Sequence, residues 1–257
     1  MPVSRYIIYF IVATIPILFA AVQPWIWTFY TICIFVTFFL VLLKKQEGEA
    51  WIKGKIFISF VGLFLLVTII QCLPLPSSIL SFLSPFRYDL LSRSSTIIGV
   101  PVSWHSISYS WHSSFAWWIF LMSLVLFFFA FKKCFDSHRN LNLLIYILLI
   151  VATLEALYGL IQALVPTLGV LWVDYIKAYL GDTRGTYINR NHFAGFLEMM
   201  IPLVLGYTLS LGNWQEKLSL KVLMSTDRLN FQFFLTISLS VMLLALVFSK
   251  SRAGITG

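Results

Sequence analysis

Between Arg5 and Lys44 the chain runs 38 residues without Asp, Glu, Lys or Arg. As a single helix this run would be about 57 Å long at about 1.5 Å per residue, nearly twice a hydrocarbon core of about 30 Å. The run must fold back on itself. Gln23-Pro24 is the natural break, because proline disfavours helix before it and is welcome at a helix start. The run therefore divides into spans near 6–22 and 25–43, and further sparsely charged runs set spans near 56–73, 115–131, 141–164, 193–211 and 232–249. The expected fold is all-α: a polytopic transmembrane helix bundle of about seven spans, forming one transmembrane domain over 1–257.

Composition excludes the alternatives. The chain is 60% apolar and 11% charged, with a mean hydropathy of +0.90, whereas a soluble domain is about 25% charged. Disorder needs the reverse, low hydrophobicity with high charge. Cys33, Cys72 and Cys134 show no CxxC spacing, so neither a metal site nor a disulfide framework is implied. The first apolar segment has a weak signal-peptide character, with Arg5 before it and Leu18-Phe19-Ala20 at its end. An uncleaved first span is the better reading, because six more spans follow.

A net charge of +8 would suggest nucleic acid in a soluble protein, but here the cations sit in short clusters between apolar blocks, where they orient membrane spans. Alternate loops hold eleven and seven Lys/Arg residues. The richer set includes Arg5, Lys44, Lys45, Lys53, Lys55, Lys132, Lys133, Arg139, Lys217, Lys221 and Arg228. The positive-inside rule places that set, and the N-terminus, in the cytoplasm. Segments 74–114, 165–192 and 250–257 then face outward. The first of these, with Pro74, Pro76, Pro85 and Pro101, many serines, and Trp104 and Trp111, reads as a structured loop lying along the interface. Trp117 and Trp118 join the same aromatic belt.

The densest polar cluster is GDTRGTYINRNHFAGFLE at 181–198. Arg184, Asn189, Arg190, Asn191 and His192 make it rich in donors, and guanidinium forks match phosphate oxygens. An anionic ligand at the membrane face is one reading. The other is a loop that caps the next helix, with its arginines reaching lipid headgroups. Ser249-Lys250-Ser251-Arg252-Ala253-Gly254 is a second cationic cluster with the same two readings. Glu155 and Gln162 lie within the fifth span with Tyr158 between them. Charge at that depth is costly, and a proton relay, an arginine partner or a structural hydrogen-bond role would each account for it. His105, His112 and His138 are scattered, and no HExxH, Walker or GxSxG sequence occurs.

Taken together, the run Arg184–Glu198 with Pro202, the Ser249–Gly254 element, Leu73-Pro-Leu-Pro76 with Ser84-Pro85, and Glu155–Gln162 resemble the O-antigen ligase and O-antigen polymerase superfamily, in its N-terminal portion. The resemblance implies a glycosyltransferase of the bacterial inner (cytoplasmic) membrane, acting at the periplasmic face in lipopolysaccharide or exopolysaccharide biosynthesis. Its donor would be an undecaprenyl-diphosphate-linked glycan and its acceptor lipid A–core, a growing glycan or a protein side chain. Membrane lipids surround it, and no nucleic acid, metal or other cofactor takes part. Inverting transfer of this kind develops charge on the diphosphate leaving group, which fixed cations stabilise. By motif match that task falls to Arg252, Arg190 and Arg184, with Asn189 and Asn191 as donors and His192, Glu155 and Ser251 in support. The family's base lies in a later periplasmic loop, so it is expected beyond Gly257, and the chain is expected to be cut short at its C-terminus. Two other readings stand beside this one: a transporter similar to bicarbonate-uptake relatives, and a non-catalytic membrane subunit. Polar residues gather at the outer rim rather than along a path through the bilayer, which favours interfacial chemistry.

Overall fold

Pro24 opens a helix, and the carbonyl of Gln23 just before it accepts from the amides of Ile26 and Trp27 at 2.9 and 3.1 Å. The chain leaves the right-handed helix just ahead of it, where Phe19, Ala20 and Ala21 all take positive φ in a short 3-10 turn. The computed structural model describes residues 2–43, 55–171, 180–211 and 226–251. These are all-helical apart from loops and one isolated bridge. In chain order the helices are α1 (Pro2–Ile17), α2 (Pro24–Leu42), α3 (Lys55–Ile70), α4 (Ser77–Leu83), α5 (Pro85–Ile98), α6 (Trp111–Cys134), α7 (His138–Leu164), α8 (Arg190–Leu211) and α9 (Thr226–Phe248).

Five of them, α2, α6, α7, α8 and α9, are long and apolar enough to cross a membrane, and α1 and α3 are shorter apolar helices. The protein has the build of a multi-pass membrane protein. The expected first span, 6–22, falls on a helix that stops at Ile17, because the three positive-φ residues after it cannot continue a right-handed helix. The loop lysines Lys44, Lys45, Lys53, Lys217 and Lys221, together with Lys177, lie outside the described residues.

The chain packs as two units: Thr31–Cys134, and Pro2–Tyr30 with Phe135–Gly257. In the first, α3 packs on α6 and α4 on α5. Trp118 on α6 donates its indole N–H to the Leu65 carbonyl at 2.9 Å, which satisfies its polar edge within an apolar contact. Residues 74–114, expected as a structured interfacial loop, contain α4 and α5. A two-bond antiparallel bridge closes the segment: Leu75 N–H to His105 O at 3.0 Å, and His105 N–H to Leu75 O at 3.1 Å.

In the second unit α7 packs against α1, α8 and α9, and α8 against α9. Its core joins Leu149, Ala152 and Ala156 of α7 to Phe193 and Leu197 of α8 and Met242 of α9. The small residues of α7 at 152 and 156 lie one turn apart, so neighbouring helices can approach closely. Packing rather than water exclusion holds helices together in lipid, and small residues serve it well.

Helices α1 and α7 run parallel. Arg5 reaches Asn140 near their starts, and the carbonyl of Pro16 meets Thr186, which also binds Glu155 of α7.

Candidate functional site

Six consecutive residues, Asp182 to Tyr187, are buried although they form no helix or strand. A buried loop must have its amides and carbonyls satisfied by other groups, and α7 supplies them. Gln162 donates its amide nitrogen to the carbonyls of Gly169 and Gly185, each at 2.9 Å, and accepts from the Arg184 N–H at 3.3 Å. Glu155 accepts the Thr186 N–H on one oxygen at 2.8 Å, and its other oxygen lies 2.8 Å from the Thr186 hydroxyl. That hydroxyl also lies 2.9 Å from the Pro16 carbonyl. Tyr158 donates to Gly169 O and accepts from Leu171 N, both at 3.0 Å. Of the three roles open to Glu155 and Gln162, the structure shows hydrogen bonding that fixes a loop.

Two glycines let the loop pass this close to α7. Gly185 has φ of +57°, and a side chain there would run into Glu155 Oε2 and the Phe193 ring. Across the gap, a side chain on Gly159 would meet Thr183 Cγ2 and sit 3.1 Å from the Gly185 amide nitrogen. Glycine is required on both sides of the contact.

The far side of the loop meets the end of α9. Thr183 N–H reaches the Phe248 carbonyl at 3.3 Å. Asp182 is paired through one oxygen with Arg190 and through the other with Lys250 Nζ at 2.8 Å. Burial alone would raise the Asp182 pKa, but the Lys250 and Arg190 hydrogen bonds outweigh it and hold the carboxyl below its usual range. Lys250 itself has φ of +52°, and the next amide, of Ser251, donates to Ser249 Oγ at 3.3 Å. The clusters at 181–198 and 249–254, separate in sequence, thus meet at Asp182.

The expected site residues divide by depth. Arg190 opens α8 with its side chain 28% exposed, while that of Lys250 is 63% exposed. Asn191 and His192 are exposed in the first turn of α8. Asn189 caps that helix, accepting the Asn191 N–H on its side-chain oxygen at 2.9 Å. Arg184 is enclosed at 1% exposure. Burial lowers its pKa, and Tyr158 and Asp182 oppose that shift. Ser251 is buried as well, and Arg252 lies outside the described residues. Tyr187, packed between Phe193 and Phe196, has its phenol pKa pushed up, first by burial and then by Glu155.

Sequence reasoning left Lys250 and Asp182 out of the site. The signal for both was present in the quoted motifs, as an acid in the first cluster and a cation in the second. Thr186 carried no signal, since its role depends on the α7 carboxylate opposite. In the other unit, His105, Trp104, Trp111 and Arg87 line a cavity of about 470 Å³, with the Arg87 guanidinium over the Tyr109 ring at 4.5 Å.

The arrangement is a cationic rim, Arg190 and Lys250, beside the first turn of a membrane helix, over a loop fixed from below. Such a rim can hold an anion through charge-assisted hydrogen bonds and the helix N-terminus. Comparison of the chain with protein-family profiles, curated proteins and solved structures returns no match.

Proposed function

We propose that this chain acts as an O-antigen ligase-like membrane glycosyltransferase, transferring or polymerising undecaprenyl-diphosphate-linked glycan at the periplasmic face of a bacterial inner membrane. The observation that carries the reading is the double pairing of Asp182 with Arg190 and Lys250. It joins the two segments on which the resemblance rests, 184–202 and 249–254, at one place beside the start of α8.

In this reading Asp182 holds the two cations at a fixed spacing until a diphosphate arrives. The diphosphate then competes for Arg190 and Lys250, and the transfer step places negative charge where the guanidinium already stands. Gln162 and Glu155 keep the loop rigid, so little reorganisation is needed when charge develops. Arg184, enclosed beneath the rim, adds positive potential without direct contact.

The test is binding of undecaprenyl diphosphate to the purified protein in neutral-lipid nanodiscs. Arg190→Ala is expected to weaken binding about tenfold or more, the loss of one charge-assisted pair. Lys250→Ala should weaken it less, since an exposed ammonium is strongly hydrated. In cells, Arg190→Ala or Arg252→Ala should abolish surface glycan attachment or extension while leaving expression intact. Wild-type binding and wild-type glycan in these variants would refute the reading.

A further inference from the structure

At the opposite end of the same unit, α1 and α7 flank an open cavity of about 710 Å³, apolar over most of its wall with polar groups set into it. About fifteen residues of α7, or roughly 22 Å of helix, separate Asn140 at this end from Glu155 beneath the loop. Arg5, Tyr9, Arg139, Asn140, Asn142 and Tyr146 line the cavity. Its walls are fixed by hydrogen bonds: Arg5 donates to Asn140 Oδ1 at 3.0 Å, and the Tyr9 hydroxyl donates to the Asn140 carbonyl at 3.0 Å. The Asn140 amide in turn reaches Ser137 Oγ, the cap of α7, at 3.4 Å. Asn140 thus holds the walls together through its side-chain oxygen, its carbonyl and its backbone N–H.

The remaining groups are donors. Arg139 and Asn142 stand exposed in the first turns of α7. The Tyr146 hydroxyl accepts from Tyr207 at 2.9 Å, which leaves its own hydrogen available. Among the described residues the carboxylate nearest Arg5 in an ion pair is Asp136, 74% exposed and 3.9 Å away, a weakly coupled surface pair. The Arg139 guanidinium, the Asn142 amide, the Tyr146 phenol and the N-terminal end of a 27-residue helix converge on one concavity, and Arg5, held in the wall by Asn140, adds its charge. That is the donor set for a phosphate.

An apolar track leads away from the cavity. Tyr6 and Phe10 of α1 are exposed one turn apart, and Leu143, Ile150 and Leu154 are exposed along α7. A free anion has no use for such a track, whereas an acyl chain does. Basic pockets between membrane helices are known to hold anionic headgroups. We infer that this cavity binds the headgroup of an anionic phospholipid, with its chains laid along α1 and α7. The site is separate from the loop at 182–187, although Tyr146 in its wall packs on Phe231 of α9, and it holds whether or not the loop handles a diphosphate.

The test is native mass spectrometry of the full chain in uncharged detergent, with dioctanoyl phosphatidic acid, dioctanoyl phosphatidylcholine and inorganic phosphate as probes. The wild type should retain phosphatidic acid in preference to phosphatidylcholine. The Arg139→Ala, Asn142→Ala double variant, altered only at exposed positions, should lose about tenfold of that retention while keeping its thermal transition and its diphosphate binding. Arg5→Lys, which keeps the charge but not the planar fork, should give an intermediate loss. Equal retention of the two lipids, wild-type retention by the double variant, or displacement of the lipid by inorganic phosphate would each overturn the inference; the last would mark a site for free phosphate.

Discussion

Thr186 presents its backbone N–H to one oxygen of Glu155 at 2.8 Å, and its hydroxyl, with one hydrogen for two acceptors, lies 2.8 Å from the other carboxylate oxygen and 2.9 Å from the Pro16 carbonyl. One turn of loop thereby satisfies a carboxylate that would otherwise lie bare inside an apolar helix bundle. The reverse also holds, because the loop could not be buried without that carboxylate to accept its amide.

Removing the acceptor should therefore cost more than reshaping it. Glu155→Gln keeps one oxygen and the volume, and is expected to lower stability by about 1–2 kcal/mol. Glu155→Ala leaves the Thr186 N–H buried without a partner and opens a void, and should cost about 3 kcal/mol or more. Thermal unfolding in a fixed detergent ranks the two, and equal losses would contradict the hydrogen-bond account.

Two glycines in the same motif should respond oppositely to alanine. At Gly185 the left-handed backbone and the contact with Glu155 and Phe193 predict a loss of about 3 kcal/mol. At Gly195, inside α8 with open space around it, alanine should be neutral or stabilise by up to about 1 kcal/mol. The same unfolding measurement, made on both variants, checks the pair.

Acid should release the Asp182 bridge. A carboxyl held below its unfolded value binds fewer protons in the folded state. Its contribution to stability is present above the unfolded range, about pH 3.9, and is lost as pH falls through the folded value. Wild-type stability should fall below about pH 4 with a component that Asp182→Asn lacks. At neutral pH Asp182→Asn should be the less stable of the two, yet bind anions more tightly, since Arg190 and Lys250 lose their competitor. A pH series of unfolding midpoints separates these effects.

Sidedness can be read with single cysteines in a variant lacking Cys33, Cys72 and Cys134. Asn191→Cys should react with an impermeant maleimide on intact cells, and Arg139→Cys only after the membrane is opened. The reverse pattern would put the Asp182 bridge in the cytosol and remove the basis for periplasmic chemistry.

The helices were legible because absence of charge is a local property of sequence. The 38-residue run had to break, and the proline that marked the break stands at the first position of α2. The early end of α1 at Ile17 was not legible, since nothing in Leu18–Val22 announces three residues of positive φ. The site was half legible. Its two cationic clusters stood out by composition, and Asn189 carried a cap signal that α8 uses. Their meeting at Asp182 was not legible, because it depends on α9 returning to the end of α7 at which the loop begins. Nor was the enclosure of Arg184, whose residue type argues for the surface.

The bond from Thr186 to the Pro16 carbonyl spans 170 positions of the chain. A ribosome finishes α1 long before it delivers the partner, so the newborn first helix carries an open acceptor while most of the polypeptide is still being threaded. Closure of that bond records that α1, α7 and the loop ahead of α8 have come together. A chain in which these parts fail to meet offers quality-control proteases an unsealed loop to cut.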